Sequence, residues 1–195
     1  IYKLVRKDAK YELLSVNKRK QTKKNFKTIS GVYKHIRAKS QQKLLIQQAI
    51  TLDRVKGRPY DIRVMIQRKP KGPWVCTGFL VKLGRDKKIV NNYYQGGKII
   101  TINKLLKDKG LSPANRKTKI NMLTDKGLKV ARALSKKRSG MHEMGIDFAI
   151  SRKQNLYVLE VNSNHPQFHP LKKIDKTAYD KMMHYAKSYG RNSAK

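Results

Sequence analysis

Apolar positions recur along this chain with two periods, one near two residues and one near 3.6, and the alternation divides it into strands and helices. Residues 2–7 and 11–16 carry apolar side chains on either side of a polar turn and predict a hairpin. Residues 17–27 are basic and polar and read as a loop. A short helix is predicted over 28–39, where Ile29, Val32 and Ile36 share a face. Leu44, Leu45 and Ile46 predict a buried strand over 43–50. Two further strands, 60–68 and 73–83, are rich in β-branched and aromatic residues and are joined by Lys69-Pro70-Lys71-Gly72, a good turn. Residues 88–102, with Gly96 and Gly97, read as irregular or extended. The longest helix is predicted over 113–137, with Ser112 as N-cap, Pro113 in the first turn, and Ile120, Leu123, Val130, Ala131 and Leu134 on one face. A second β-pair follows, 144–151 and 155–162, turning at Lys153-Gln154. A last helix covers 176–188, packing through Tyr179, Met182, Met183 and Ala186. One α+β domain, with mostly antiparallel sheet, is the simplest parse.

Charge changes this picture. Lys and Arg number 47 against 12 Asp and Glu, a formal net charge of +35 over 195 residues. Such a surface attracts polyanions, whether nucleic acid, an anionic polymer or an acidic substrate, and says nothing about fold. The lone cysteine, Cys76, excludes an internal disulfide, fits a reducing cytoplasm and reads as a small buried hydrophobe. No apolar stretch approaches the ~20 residues of a membrane span. The chain opens on Ile1 directly in a strand pattern, so sequence is expected upstream of it.

Acids are so scarce that several on strands require a reason. Asp147 sits in Gly145-Ile146-Asp147-Phe148, and Glu160 and Asn162 in Leu159-Glu160-Val161-Asn162. Residues i and i+2 of a strand share a face, which spaces Glu160 and Asn162 by ~6.5 Å, with Leu159 and Val161 turned to apolar packing. The turn near 153 brings Asp147 alongside Glu160. Two carboxylates and an amide oxygen on one sheet face are hard ligands of the kind magnesium takes. Pairing with nearby Lys or Arg is the alternative.

Four motifs then occur in order: Asp61-Ile62-Arg63-Val64, Asn92-Tyr93-Tyr94-Gln95-Gly96-Gly97, Gly145-Ile146-Asp147 and Glu160-Val161-Asn162. Together they resemble the ATP-grasp superfamily, in the branch of glutathione synthetase and the ribosomal-protein glutamate ligase. Gly57-Arg58-Pro59-Tyr60-Asp61-Ile62-Arg63-Val64 and Gln47-Gln48 are similar to the YheC/YheD-like endospore coat-associated family. The resemblance covers roughly residues 1–172. It implies the C-terminal portion of an ATP-grasp fold, truncated at the N-terminus. Residues 1–50 would end the first lobe and supply the adenine linker, and residues 51–195 would form the C-terminal lobe with the metal strands.

The resemblance further implies ATP and Mg2+ (or Mn2+) as cofactors, with Asp147, Glu160 and Asn162 as metal ligands. Gln47, Gln48, Ala49 and Ile50 would meet the adenine edge, and Asp61 the ribose or a nearby polar group. Arg63 and Asn92 would face the phosphates or an acyl-phosphate, and Gly96-Gly97 would let backbone approach the substrate. The implied activity is carboxylate–amine or carboxylate–thiol ligation; the alternative is a basic, polyanion- or nucleic-acid-binding protein on a non-catalytic scaffold. The carboxylate and nucleophile stay unidentified, an anionic polymer or acidic peptide being candidates. The family's upstream lysine and glycine-rich phosphate loop are absent from these residues and are expected before Ile1. Cytoplasmic localisation is expected, with spore association as the family's variant.

Outside the motifs, Trp74 reads as core, while Tyr93 and Tyr94 stay open between packing and base stacking. His165 and His169, among prolines, belong to a loop on the substrate side. His142 and Glu143 read as a polar turn.

Overall fold

A computed structural model describes residues 2–17, 20–84 and 97–195. Asn92, Tyr93, Tyr94 and Gly96 lie outside them. The chain begins with three antiparallel strands in the order β1 (Tyr2–Lys7), β2 (Lys10–Asn17) and β3 (Lys20–Phe26). Helix α1 (Ile29–Arg37), capped by Thr28, packs on this sheet through Val32. Strand β3 corrects the loop predicted over 17–27. Its Lys20, Lys23 and Lys24 hide any apolar alternation, but a half-solvated edge strand tolerates lysines, and its register against β2 (Leu13 opposite Lys24, Ser15 opposite Thr22) is set by the hairpin before it.

Residues 43–50 do not form the predicted strand. They carry no regular structure, and Leu45 and Ile46 are 87% and 94% exposed. Among the described residues, local β propensity there found no neighbouring strand to pair with. Regular pairing resumes at Leu52, which bridges Ser151, and at the Asp53 amide, which donates to the Ile150 carbonyl at 2.7 Å.

The second sheet runs β7–β6–β5–β8–β9, with β4 (Arg54–Val55) folding back on β5. Its strands are β5 (Arg58–Gln67), β6 (Val75–Leu83), β7 (Lys98–Ile100), β8 (Glu143–Ile150) and β9 (Leu156–Asn162), every pair antiparallel. The strand and long-helix predictions hold here. Helix α3 runs Pro113–Lys137 with Ser112 accepting from the Asn115 amide, and α5 runs Lys176–Lys187. Two short helices had no clear signal, α2 (Ile102–Asp108) and α4 (Leu171–Ile174).

The two faces of the sheet are buried differently. One face, with Ile62, Val64, Ile66, Met144, Ile146 and Phe148, packs under α2 and α3 and takes in Trp74, as expected of that residue. Gly127 lets α3 come close: a Cβ there would lie 3.1 Å from Ile66 Cδ1 and 3.2 Å from Val64 Cγ1. The other face is covered over one half only. There Met65 and Leu80 meet Phe168, Leu171, Met182 and Ala186 of the C-terminal segment. That cover is fixed by a buried ion pair. Arg191, 5% exposed, donates to Glu143 Oε2 at 2.6 Å and also to the Pro166 and Ser193 carbonyls. Glu143 is therefore a structural anchor of the tail and not the plain polar turn expected of it. Cys76 is half-buried beside the first core, and burial pushes its thiol up, so it stays protonated.

Replacing Gly127 by Val should force α3 off β5 and cost about 1–3 kcal/mol of unfolding free energy. Lys129→Ala, on the exposed side of the same helix, should stay within about 0.5 kcal/mol. Urea denaturation of both variants checks the contrast.

Candidate functional site

The uncovered half of the second face carries charge instead of apolar side chains. Register places it there. Asp61 on β5 lies opposite Lys82 on β6, Arg63 opposite Asp147 on β8, and Asp147 opposite Glu160 on β9, so these five side chains cross the sheet as one band. Asn162 stands one step along β9, opposite Gly145. A bulge between Asp147 and Phe148 lets Leu159 be skipped in the pairing, so Glu160 and Asn162 both lie on the Asp147 side, as their alternation predicted.

Asp147 is the centre of the band. Arg63 grips it with two parallel bonds, Nε to Oδ1 and Nη2 to Oδ2, both 2.8 Å. Lys82 Nζ reaches Asp147 Oδ2 at 2.9 Å and Asp61 Oδ1 at 2.9 Å, bridging the two acids. Asn162, with its amide turned to satisfy both polar atoms, donates to Glu160 Oε1 at 2.8 Å and accepts from Arg63 Nη2 at 3.1 Å. Burial alone would raise the Asp147 carboxyl, but the Arg63 guanidinium and Lys82 ammonium outweigh it and hold it below the ordinary carboxylate range. The alternative reading of the sequence, Asp147 and Glu160 paired with basic neighbours, therefore holds for Asp147 and, among the described residues, not for Glu160.

Among the described residues three acids, Asp61, Asp147 and Glu160, share the band with two cations, Arg63 and Lys82. Glu160 is exposed and, among the described residues, has no cation in ion-pair range. Among those residues no group of three His, Cys, Asp or Glu side chains gathers around a point, so a third protein donor would have to be the amide of Asn162. As a donor set, two carboxylates and an amide oxygen with an open side at Glu160 fit a hard divalent cation. Arg63 stands where such a cation would share Asp147 and Asn162, and would have to yield part of its grip.

The loop after β9 walls one side of the band. Arg63 Nη1 donates to the Gln167 carbonyl at 3.4 Å, and a Cβ on Gly145 would sit 2.6 Å from Pro166 Cβ. The glycine of Gly-x-Asp is thus required by the close approach of this loop. His165 is exposed with a left-handed φ of 49°, and His169 is half-buried, so the pair has no helical spacing, as its prolines implied. His142 stacks on Tyr189 at 5.3 Å, away from the band.

The structure brings together Asp61, Arg63, Asp147, Glu160 and Asn162 of the predicted site. It does not bring in Gln47, Gln48 and Ala49, which are exposed, and among the described residues no hydrogen bond or ion pair joins them or Ile50 to the band. Gly97 sits just before β7, beyond the Leu83 end of β6. Asn92 and Gly96 lie outside the described residues. Sequence reasoning missed Lys82, whose signal was a single cation inside the apolar run Phe79-Leu80-Val81-Lys82-Leu83. It also missed Asp53, which accepts from Tyr60 at 2.8 Å, from Lys109 and from the Arg54 amide, and ties the end of the linker to β5 and α2.

The family profile described as "YheC/D like ATP-grasp" matches residues 1–189. The endospore coat-associated protein YheD of Bacillus subtilis (strain 168) is 29% identical over 140 residues, which is 68% of this chain and 30% of that protein. The chain thus spans under a third of this curated relative. Among solved structures, the C-terminal domain of Pby1 from K. lactis, described as an ATP-grasp enzyme interacting with the mRNA decapping enzyme Dcp2, aligns at a TM-score of 0.42 and 16% identity, over 84% of this chain and 51% of that one.

Asp147→Asn should destabilise the chain by about 2–4 kcal/mol at neutral pH, because it weakens a buried pair and leaves two cations under-neutralised. Because the folded carboxyl titrates below its unfolded value, that contribution is fully present above about pH 4 and is lost as pH falls through the depressed folded value. Urea unfolding of both proteins at descending pH should show the gap closing below about pH 4.

Proposed function

The chain belongs to the YheC/D-like ATP-grasp family, and on that premise we propose that it forms the nucleotide-activating part of an ATP-dependent carboxylate ligase. The observation that carries the reading is the meeting of Asp147, Glu160 and Asn162 on one open sheet face. Residues 1–50 would contribute the end of the first lobe and the linker, and residues 51–195 the second lobe. ATP-grasp proteins as a class bind ATP and carry out ligase-type reactions with Mg2+.

In this reading Asp147, Glu160 and Asn162 would hold Mg2+, and the ion would supply charge neutralisation to the nucleotide phosphates. The remaining work belongs to the chain itself. Phosphoryl transfer asks the protein mainly for alignment and for positive charge where negative charge develops. Arg63 offers a planar fork already fixed on the sheet by Asp147, and Lys82 offers a compact ammonium held between two acids. Both are poised to transfer part of their hydrogen bonding to phosphate oxygens. Asp61 remains as the acid that keeps Lys82 in place and within reach of a ribose. The linker residues Gln47, Gln48, Ala49 and Ile50, the first three exposed, are where the adenine edge would lie. Asn92 and Gly96-Gly97 would complete the substrate side.

A non-catalytic polyanion-binding scaffold is the weaker reading, since it gives no reason for an exposed Glu160 beside a buried Asp147 in so basic a chain. Spore association follows the relative's description and is proposed on that ground. Among the described residues no helix is long and apolar enough to cross a membrane.

Glu160→Ala in the full-length protein should abolish ATP turnover and weaken Mn2+ binding, read by electron paramagnetic resonance with ATP present. Its melting temperature should move by no more than about 2 °C, because the side chain is solvent-exposed. Normal turnover and unchanged Mn2+ affinity in that variant would remove the metal assignment.

A further inference from the structure

Helix α3 has one face committed to the core and another with no role in the fold. Leu123, Gly127 and Ala131 are buried against the sheet. Outside that face Lys126, Lys129, Arg132, Lys136 and Lys137 are exposed, and so is the C-cap residue Arg138. The only acid on the helix is Asp125, which pairs with Lys129 at 3.0 Å. Among the described residues, no acid pairs with the other five cations.

Folding gains nothing from this arrangement. Lys129, Arg132 and Lys136 follow one another at i, i+3 and i+7, so like charges meet along one line of the helix and repel. Cations in the last turn complement the helix dipole, which accounts for Lys136 and Lys137. It does not account for Lys126 and Arg132, which stand a turn or more further back; Lys129 has Asp125 as its partner. A general excess of lysine would not need them on a single rigid element.

We propose that this face of α3 is a docking surface for the phosphate backbone of double-stranded nucleic acid, separate from the charged band on the other face of the sheet and independent of the ligase reading. From residue 126 to 137 the helix advances about 17 Å, and duplex DNA presents about ten phosphate charges over that length. The row therefore matches a dense linear polyanion. Its chemistry is that of backbone contact without base readout: α3 contains no aromatic residue to stack on unpaired bases, which disfavours a single strand, and lysines predominate. Binding is accordingly sequence-independent and strongly salt-dependent.

The test is fluorescence anisotropy of the full chain with a labelled DNA duplex of about 20 base pairs, from about 50 to about 300 mM NaCl. One variant carries Lys126→Gln, Arg132→Gln, Lys136→Gln and Lys137→Gln. A charge-matched control carries Lys10→Gln, Lys20→Gln, Lys24→Gln and Lys27→Gln, exposed positions of the first sheet and the segment after it. The α3 variant should bind at least about tenfold more weakly and lose about 3–4 units of the logarithmic salt slope, while the control stays within about threefold. A double variant, Lys136→Gln with Lys137→Gln, should fall between and guards against a folding defect in the quadruple. Equal losses in variant and control would reduce the surface to general charge and overturn the proposal. So would an absence of duplex binding by the parent chain at about 150 mM salt. Equal competition by polyglutamate of matched charge would assign the face to an acidic polypeptide and overturn it as well.

Discussion

Everything in the second sheet is arranged around one buried carboxylate. Asp147 lies in a strand paired on both sides, with an apolar core directly beneath it, where an unpaired charge would cost several kcal/mol. Arg63 and Lys82 remove that cost, and each comes from a different strand at the register position where it can reach. The price of such a cluster is a narrow tolerance. Removing a cation exposes an acid, and removing the acid exposes two cations. At the solvent edge of the cluster Glu160 is exposed and, among the described residues, is in no ion pair.

The second constraint is what leaves that band uncovered. Helix α5 and the C-terminal residues cover only the Met65–Leu80 half of the face, and Arg191 fixes the cover through Glu143 and the carbonyls of Pro166 and Ser193. The same interaction holds the loop that leads out of β9, whose Pro166 rests against Gly145 beside Arg63. The tail thus shapes the wall of the site without contributing a group to its centre. Closure of one half and exposure of the other are produced by the same few contacts.

The regular part of this architecture was legible in the sequence because its patterns are local. Ser112-Pro113 marks a helix start, the apolar spacing of Leu123 and Ala131 marks its buried face, and Glu160-Val161-Asn162 announces the alternation that later appears in register with Asp147. Where reading failed, the deciding contact was distant. Residues 43–50 have strand-forming side chains and, among the described residues, no strand paired with them. Residues 20–26 have lysines and a hairpin beside them, so they pair. Lys82 looked like one more cation among 47 Lys and Arg until pairing set it opposite Asp61. The role of Glu143 depended on an arginine 48 residues further on. The family motifs recovered the acids of the site because they record which residues recur, though not that Arg63 and Lys82 stand between them.

The central claim is that this acid-rich band accepts a divalent cation with a nucleotide, and that Arg63 and Lys82 then turn from Asp147 toward phosphate. A crystal structure of the full-length protein with Mg2+ and a non-hydrolysable ATP analogue addresses it most directly. The account predicts the ion on Asp147 and Glu160, with at least one of the two cations moved onto a phosphate oxygen. An analogue bound elsewhere, with the bidentate Arg63–Asp147 pair and the Lys82 bridge unchanged, would contradict it.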